Sequence, residues 1–253
     1  MQKNEAQLAT QWLQRMLDLD TAPDEVSFNA VLRSNLAAGD MKEAEERLKQ
    51  MVAMHLIPGR LQYNQLIEHF CKTGNVEKAY FLLTLMKATP PSLPDAVSFQ
   101  HLISSARDEE MMVKLLEEMR DMSLSPDVIT YTSIVKSFVS QGSDEKASEW
   151  LQHMVADSIQ PNVLAFNILI ASSARPDKDS GKGLARAEQW LERLCSSRCR
   201  PDVMSYMPLL AGYARCGATE KVSQWFEKMI QSRVEPDHKI WLVYSKAMDT
   251  KDS

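Results

Sequence analysis

Aromatic and aliphatic residues fall along this chain in short blocks with the spacing of one helix face. Each block opens on an aromatic, and two aliphatics follow three and four residues later. The blocks are Phe28 with Val31 and Leu32, Tyr63 with Leu66 and Ile67, Phe99 with Leu102 and Ile103, Tyr131 with Ile134 and Val135, Phe166 with Leu169 and Ile170, and Tyr206 with Leu209 and Leu210. Phe70, Phe138 and Tyr213 lengthen three of them by one turn. A second kind of block lies between these. It brings an acid early (Glu43, Glu77, Glu145, Glu220) and a small residue (Ala44, Ala79, Ala147, Ala187), then large apolar side chains. Among the latter, Trp150, Trp190 and Trp225 each stand four residues before Met154, Leu194 or Met229, and Trp12 with Met16 repeats that ending near the start. Indole rings at helical spacing bury much area, so these tryptophans are expected in the core.

A Pro followed by Asp, Asn or Gly punctuates the pattern at Pro23, Pro58, Pro94, Pro126, Pro161, Pro201 and Pro236. Cutting after each pair gives six units, 25–59, 60–95, 96–127, 128–162, 163–202 and 203–237, of 32 to 40 residues. The Pro discourages a helix from running through it, and the Asp or Asn behind it is placed to cap the next one. Gly39, Gly74, Gly142 and Gly217 stand at the fifteenth place of four units, where a helix ends in a residue tolerant of positive φ. The acids of the second block suit a positive helix N-terminus. Each unit therefore reads as two helices that cannot bury their apolar faces alone, and the expected fold is all-α, a right-handed α-solenoid of stacked helix-turn-helix repeats. Residues 1–24 read as a lone second helix. Residues 238–253 read as a lone first helix (238–248, with Trp241 at its aromatic place) and a tail. Either these half-units cap the array or the chain is a stretch of a longer one; missing polar outer faces favour the second expectation. Two units are irregular: the third lacks three residues at its central turn, and the fifth carries five extra within RPDKDSGKG, where Ser180, Gly181, Lys182 and Gly183 read as a solvated insertion rather than a phosphate-cradling loop.

Composition narrows the class without changing the fold. With 253 residues, 44% apolar and 25% charged, the chain can bury a sizeable core and is not disordered. Four cysteines are too few for a disulfide scaffold and suggest a reducing compartment. No apolar run approaches the roughly 20 residues of a membrane span, and the first residues have helical spacing with Glu5 rather than a signal peptide's apolar block. The net charge of −5 argues against indiscriminate nucleic-acid binding, but it is unevenly spread. Over the first 13 residues of each unit (12 in the third) it is +5, which leaves −10 on the rest.

With these residues laid out, the chain resembles the pentatricopeptide repeat family. Segments such as LQYNQLIEHFCKTGNVEKAYFLLTLMK and VITYTSIVKSFVSQGSDEKASEWLQHMVADSIQPN follow its consensus over whole units. The tetratricopeptide repeat, of similar length, is disfavoured: it places Trp at the fourth position and Leu-Gly at the seventh and eighth, where this chain has Phe or Tyr and aliphatics. The resemblance implies single-stranded RNA binding at one nucleotide per repeat, with first helices lining the concave surface. It implies that the fifth residue and the last residue of a repeat set base identity, that an aliphatic second residue packs on base faces, and that RNA runs 5′ to 3′ from the N-terminal repeat onward.

Positions 2, 5, 9 and 13 of a helix share one stripe, separate from the core face. Position 2 is aliphatic throughout: Val26, Leu61, Val97, Ile129, Leu164 and Met204. These residues offer contact to base faces, or they fill the space between adjacent first helices. Position 5 holds Asn29, Asn64, Gln100, Thr132, Asn167 and Met207, and the last residues are Gly59, Asp95, Asp127, Asn162, Asp202 and Asp237. The terminal Asp is also explained as a helix cap, whereas Asn inside a helix has poor propensity and less reason to be there. Under the family's pairing rules Asn64 with Asp95 prefers U, Thr132 with Asn162 prefers A and Asn167 with Asp202 prefers U. Asn29 with Gly59 implies no more than a pyrimidine bias, and Gln100 with Asp127 and Met207 with Asp237 match no rule. The implied core is N-U-N-A-U-N. Lys72, Arg175 and Arg215 sit at position 13 as candidate phosphate contacts, with a helix-dipole role as the other reading.

No catalyst is evident. None of the five histidines is followed two residues on by Glu, as a zinc deaminase needs, and Cys195 and Cys199 lack partners for a metal site. Cys71 and Cys216 are expected to pack near the ends of first helices. The expected partner is single-stranded RNA, with proteins as additional partners, and no cofactor, metal, membrane or small-molecule substrate is expected. A scaffold that binds a peptide in the same groove is the alternative. The resemblance implies a mitochondrion or plastid, although no targeting segment is visible in this chain.

Overall fold

The computed structural model describes residues 2–19, 21–175 and 180–249. Among these residues there are fourteen α-helices and no strand. They fall into two compact units, Met1–Pro126 and Asp127–Ser253. The first holds α1 (Gln2–Asp18), α2 (Glu25–Ala38), α3 (Met41–Ala53), α4 (Arg60–Lys72), α5 (Val76–Lys87), α6 (Ala96–Ser105) and α7 (Glu109–Asp121), with a 3₁₀ turn at Pro90–Ser92. The second holds α8 (Val128–Ser140), α9 (Asp144–Ala156), α10 (Val163–Ser173), α11 (Ser180–Ser196), α12 (Val203–Arg215), α13 (Thr219–Gln231) and α14 (His238–Asp249). Within each unit the even-numbered helices pack on one another in series and each pairs with the odd helix that follows, α14 excepted. This is an all-α solenoid architecture built from helical hairpins.

Local chemistry sets where these helices begin and end. The side chains of Asp24, Asp95, Asp127, Asn162 and Asp202 each accept the backbone N–H three residues on. Asp237 does the same for Ile240 at 2.9 Å. Such a cap stabilises a helix by about 1 kcal/mol. At α4 the position belongs to Gly59, which has no side chain to donate or accept. Gly39, Gly74, Gly142 and Gly217 leave the first helices with φ between 68° and 79°, a region L-residues with a Cβ rarely occupy. The third hairpin dispenses with this device. There α6 has only ten residues, Ala106 is extended, and α7 starts behind Asp108.

The aromatic and aliphatic face lies in the core: Phe28, Tyr63, Phe99, Tyr131, Phe166 and Tyr206 are all buried, with their aliphatic partners. Trp150, Trp190 and Trp225 are buried too, and the Trp225 indole N–H donates to Glu188 Oε1 at 2.6 Å. Trp12 and Trp241 depart from the expectation. Trp12 is 62% exposed while Leu13 beside it is buried, and Trp241 is 51% exposed while Ile240 takes the core place. The reason is a missing neighbour. Trp225 meets a residue of the second helix before it, Glu188 of α11, and Tyr131 meets Trp150 of the second helix after it, with ring centroids 6.3 Å apart. Helix α1 has no predecessor and α14 no successor among the described residues. Trp241 instead packs edge-on against Phe226, with ring centroids 5.1 Å apart.

Two further expectations are tested by the structure. Gly181 and Lys182 are exposed, as a solvated insertion requires, and the stretch is helical, opening the 17-residue α11; residues 176–179 lie outside the described residues. The added turn is anchored by Leu184, which is buried against Gly212 so closely that a Cβ there would come within 2.4 Å of a Leu184 methyl. Cys71 is half-buried, but Cys216 is exposed at the end of α12 rather than packed.

Successive second helices are joined on their polar faces by repeated ion pairs. Lys78 meets Glu45 at 2.9 Å in the first unit, and Lys221 meets Glu188 at 3.0 Å in the second, each pair 33 residues apart. Burial raises the affinity of Glu188 for a proton, but donors from Trp225, Lys221 and Tyr213 outweigh it and hold its pKa below the ordinary 4.5. A carboxylate depressed in the folded state contributes stability above its unfolded pKa and loses it as pH falls through the folded one. Thermal stability is therefore expected to fall as pH drops below about 4.5, and Glu188→Gln should flatten that fall while lowering stability at pH 7. Melting curves across pH 3–7 for both forms check this.

Candidate nucleic-acid interface

Helical register decides what the first helices expose. With the cap residue at the N-terminus, position 4 turns into the core and position 2 turns away from it. Val26, Leu61 and Val97 in the first unit are 71%, 62% and 46% exposed, and Ile129, Leu164 and Met204 in the second are 54%, 57% and 64% exposed. They do not fill the space between adjacent first helices. A single exposed aliphatic is ordinary, but six at one register form a repeated apolar feature that leaves the favourable contact unmade.

Position 5 stands one turn behind and meets the last residue of its own repeat. Asn64 Nδ2 donates to Asp95 Oδ1 at 3.2 Å, and Asn167 Nδ2 donates to Asp202 Oδ1 at 3.0 Å. Asn29 Oδ1 accepts from the Gly59 backbone N–H at 3.3 Å. Thr132 makes no such bond; its hydroxyl donates to the Val128 carbonyl at 2.6 Å, and Asn162 Oδ1 accepts from Ala165 N at 2.9 Å. Asn29, Gln100, Asn167 and Met207 are half-buried, whereas Asn64 and Thr132 are buried. Gln100 belongs to the first compact unit and Asp127, the cap of α8, to the second. Met207 is followed by Pro208 within α12, and Asp237 caps α14.

Two residues of this arrangement escape a reading of positions 2, 5 and last. Ser98 Oγ donates to Asn64 Oδ1 at 2.6 Å and its N–H to Asp95 Oδ1 at 3.1 Å; Ser205 does the same for Asn167 (2.7 Å) and Asp202 (2.9 Å). Each serine completes a capping box and fixes both members of the pair. A Ser three places after the terminal Asp was the available signal. Burial works against the Asp95 carboxylate, but the Ser98 N–H, the Asn64 amide, the Ser98 hydroxyl and the nearby Arg60 hold its pKa below the usual carboxylate range. It stays ionised at neutral pH.

The candidate phosphate residues differ among themselves. Lys72 is exposed and pairs with Glu68 at 2.6 Å. Arg175 is exposed just past the end of α10. Arg215 gives one guanidinium nitrogen to the Ala174 carbonyl at 3.0 Å, closing the C-terminus of α10 while the rest of its side chain stays exposed. Cys199 Sγ lies 3.2 Å from the Pro161 carbonyl. Among the described residues no three His, Cys, Asp or Glu side chains come together as a metal site, and no helix is long and apolar enough to cross a membrane.

Comparison with known proteins gives this arrangement its context. A chloroplastic pentatricopeptide repeat-containing protein of Arabidopsis thaliana is 28% identical over 167 residues, 64% of this chain and 22% of that protein. The crystal structure of the pentatricopeptide repeat protein PPR10 from maize superposes with a TM-score of 0.61 at 19% identity, over 93% of this chain and 38% of that one. The pentatricopeptide repeat domain of the protein-only RNase P 1 of Arabidopsis thaliana, solved in complex with tRNA, gives 0.53 at 15% identity, over 73% of this chain and 96% of that one. The chain spans between a fifth and about a third of the length of the curated relatives it matches. The profile of the pentatricopeptide repeat domain matches residues 11–87, 93–141, 114–173 and 191–240, and the chain belongs to the pentatricopeptide repeat family.

Proposed function

We propose that this chain is an adaptor for single-stranded RNA in which each of the six repeats, 25–59 to 203–237, takes about one nucleotide. The observation that carries the reading is the exposed aliphatic at position 2, repeated beside a polar pair at position 5 and the last residue. An apolar side chain suits a base face, and the neighbouring polar groups suit its edge. In complex with tRNA, the RNase P domain offers a precedent on the same fold.

The hydrogen bonds already made inside the protein leave an edge of definite polarity. In the fifth repeat Asp202 Oδ1 is occupied by Asn167 and Ser205, which leaves Oδ2 to accept and the second Nδ2 hydrogen of Asn167 to donate. Uracil presents the complement, a ring N–H beside a carbonyl. In the fourth repeat the Thr132 proton is committed to Val128, so its oxygen accepts, and Asn162 keeps its Nδ2 free to donate. Adenine presents an amino group beside a bare ring nitrogen, again the complement. The first compact unit is assigned N-U-N and the second A-U-N, where N is unassigned; the thioether of Met207 has no useful hydrogen bond for a base edge. Shielding, remodelling or recruitment on RNA is the role, without a catalytic step in this chain. An organelle is the proposed compartment, given the chloroplastic relative.

Fluorescence anisotropy with N-U-N-A-U-N RNA tests the reading. Tighter binding than to a scrambled RNA at moderate salt is expected; equal binding counts against base reading, and no binding counts against the function. Exchanging Thr132→Asn together with Asn162→Asp should move the fourth nucleotide from A towards U by about tenfold, the scale of one hydrogen-bonded base edge.

A further inference from the structure

The second and fifth repeats carry the same reading group, yet one charge separates them. Asn64, Asp95 and Ser98 on one hand, and Asn167, Asp202 and Ser205 on the other, make matching hydrogen bonds. One turn before the asparagine, at position 1, the fifth repeat has Val163 and the second has Arg60. Position 1 reaches the end of its own repeat: Glu25, the counterpart in the first repeat, accepts the Ile57 N–H at 3.2 Å. Arg60 follows that path and places Nη1 3.8 Å from Asp95 Oδ2, the carboxylate oxygen that Asn64 and Ser98 leave open. That distance is ionic contact and too long for a hydrogen bond. Among the described residues the guanidinium makes no hydrogen bond, and half of the side chain is exposed, so its N–H donors remain available beside the reading pair.

We propose that Arg60 is a specificity-determining residue of the second repeat, favouring bases that place a carbonyl beside a ring N–H (U and G) over those that place an amino group beside a bare ring nitrogen (A and C). This rests on the RNA reading given above. A base N–H donates to Asp95 Oδ2 while the guanidinium donates to the adjacent carbonyl oxygen, a match to the planar fork of arginine. An amino group in the same place sets donor against donor. The fifth repeat reads with an amide and a carboxylate alone, and its preference over A and C is correspondingly narrower.

The test uses the full chain with N-U-N-A-U-N RNA varied at the second or the fifth nucleotide through U, G, C and A. Arg60→Val, which copies the fifth repeat, should narrow the gap between U or G and C or A at the second nucleotide by about fivefold, the scale of one exposed charge-assisted contact. Val163→Arg should widen the gap at the fifth nucleotide, and Arg60→Gln, which keeps donors without the charge, should fall between wild type and Arg60→Val. A melting curve for each variant confirms folding. Equal weakening for all four bases with a shallower salt dependence makes Arg60 a phosphate contact and overturns the inference, as does an unchanged base ranking. If the wild-type chain binds none of the RNAs, the underlying function fails instead.

Discussion

Trp225→Ala is expected to lower the unfolding free energy by about 3–5 kcal/mol, while Trp12→Ala changes it by less than about 0.5 kcal/mol. The two residues occupy the same place in the second-helix pattern, each four before a methionine. Their surroundings differ completely. Trp225 is 2% exposed and donates its indole N–H to Glu188, which also receives Lys221. Removing the ring leaves a cavity at the buried face of α13 and takes one donor from a partly buried carboxylate whose Oε1 keeps Lys221, so the transfer and cavity terms dominate the loss. Trp12 lies open at the surface with Arg15 stacked 5.2 Å from its ring centre. That contact is worth about 0.5–1 kcal/mol at an exposed site and is partly replaced by solvation of the guanidinium. Urea denaturation of the two variants beside the wild type checks the difference. Equal destabilisation would mean that the tryptophan pattern alone, without its neighbour, sets burial.

That contrast also marks how far the fold was legible. The 4-7-8 spacing, the Asp caps and the turn glycines are local signals, and the core of every complete hairpin followed from them. Burial at the two ends depends on a neighbouring helix, which no local pattern encodes. The left-handed residues closing four second helices, His55, Ser123, Ser158 and Arg233, were equally silent, because no glycine stands there to announce them. That the insertion opens α11 was not legible, because Gly181 and Gly183 have low helix propensity; the buried Leu184 against Gly212 outweighs it. At the candidate interface, the sequence named the second, fifth and last residues and could not say which pairs touch. Asn64 with Asp95 and Asn167 with Asp202 meet because a serine in the next first helix holds both partners, a long-range arrangement that only the packed hairpins create.

Replacing Leu61 and Leu164 together with Asp is expected to weaken binding to N-U-N-A-U-N RNA by about 100-fold, with melting temperature unchanged within a few degrees. Each side chain is more than half exposed, so little core contact is lost. Both sit in the opening turn of a helix, where an acid interacts favourably with the N-terminal partial charges. Against RNA the effects reverse: each substitution removes an apolar surface for a base face, worth about 1 kcal/mol, and adds an anion near phosphates. Two repeats in separate compact units then account for the combined loss, since distant sites add. Phe81→Asp, at another exposed apolar residue on α5, serves as the control and should leave affinity within about twofold. Anisotropy and thermal melts on the same preparations separate the outcomes. Unchanged affinity would remove the base-face role of position 2, and a large fall in melting temperature would mean that these residues hold helices together after all. Retained stability with lost binding is the expected result, because side chains exposed at one register in all six repeats contribute little to the core and stay available to a ligand.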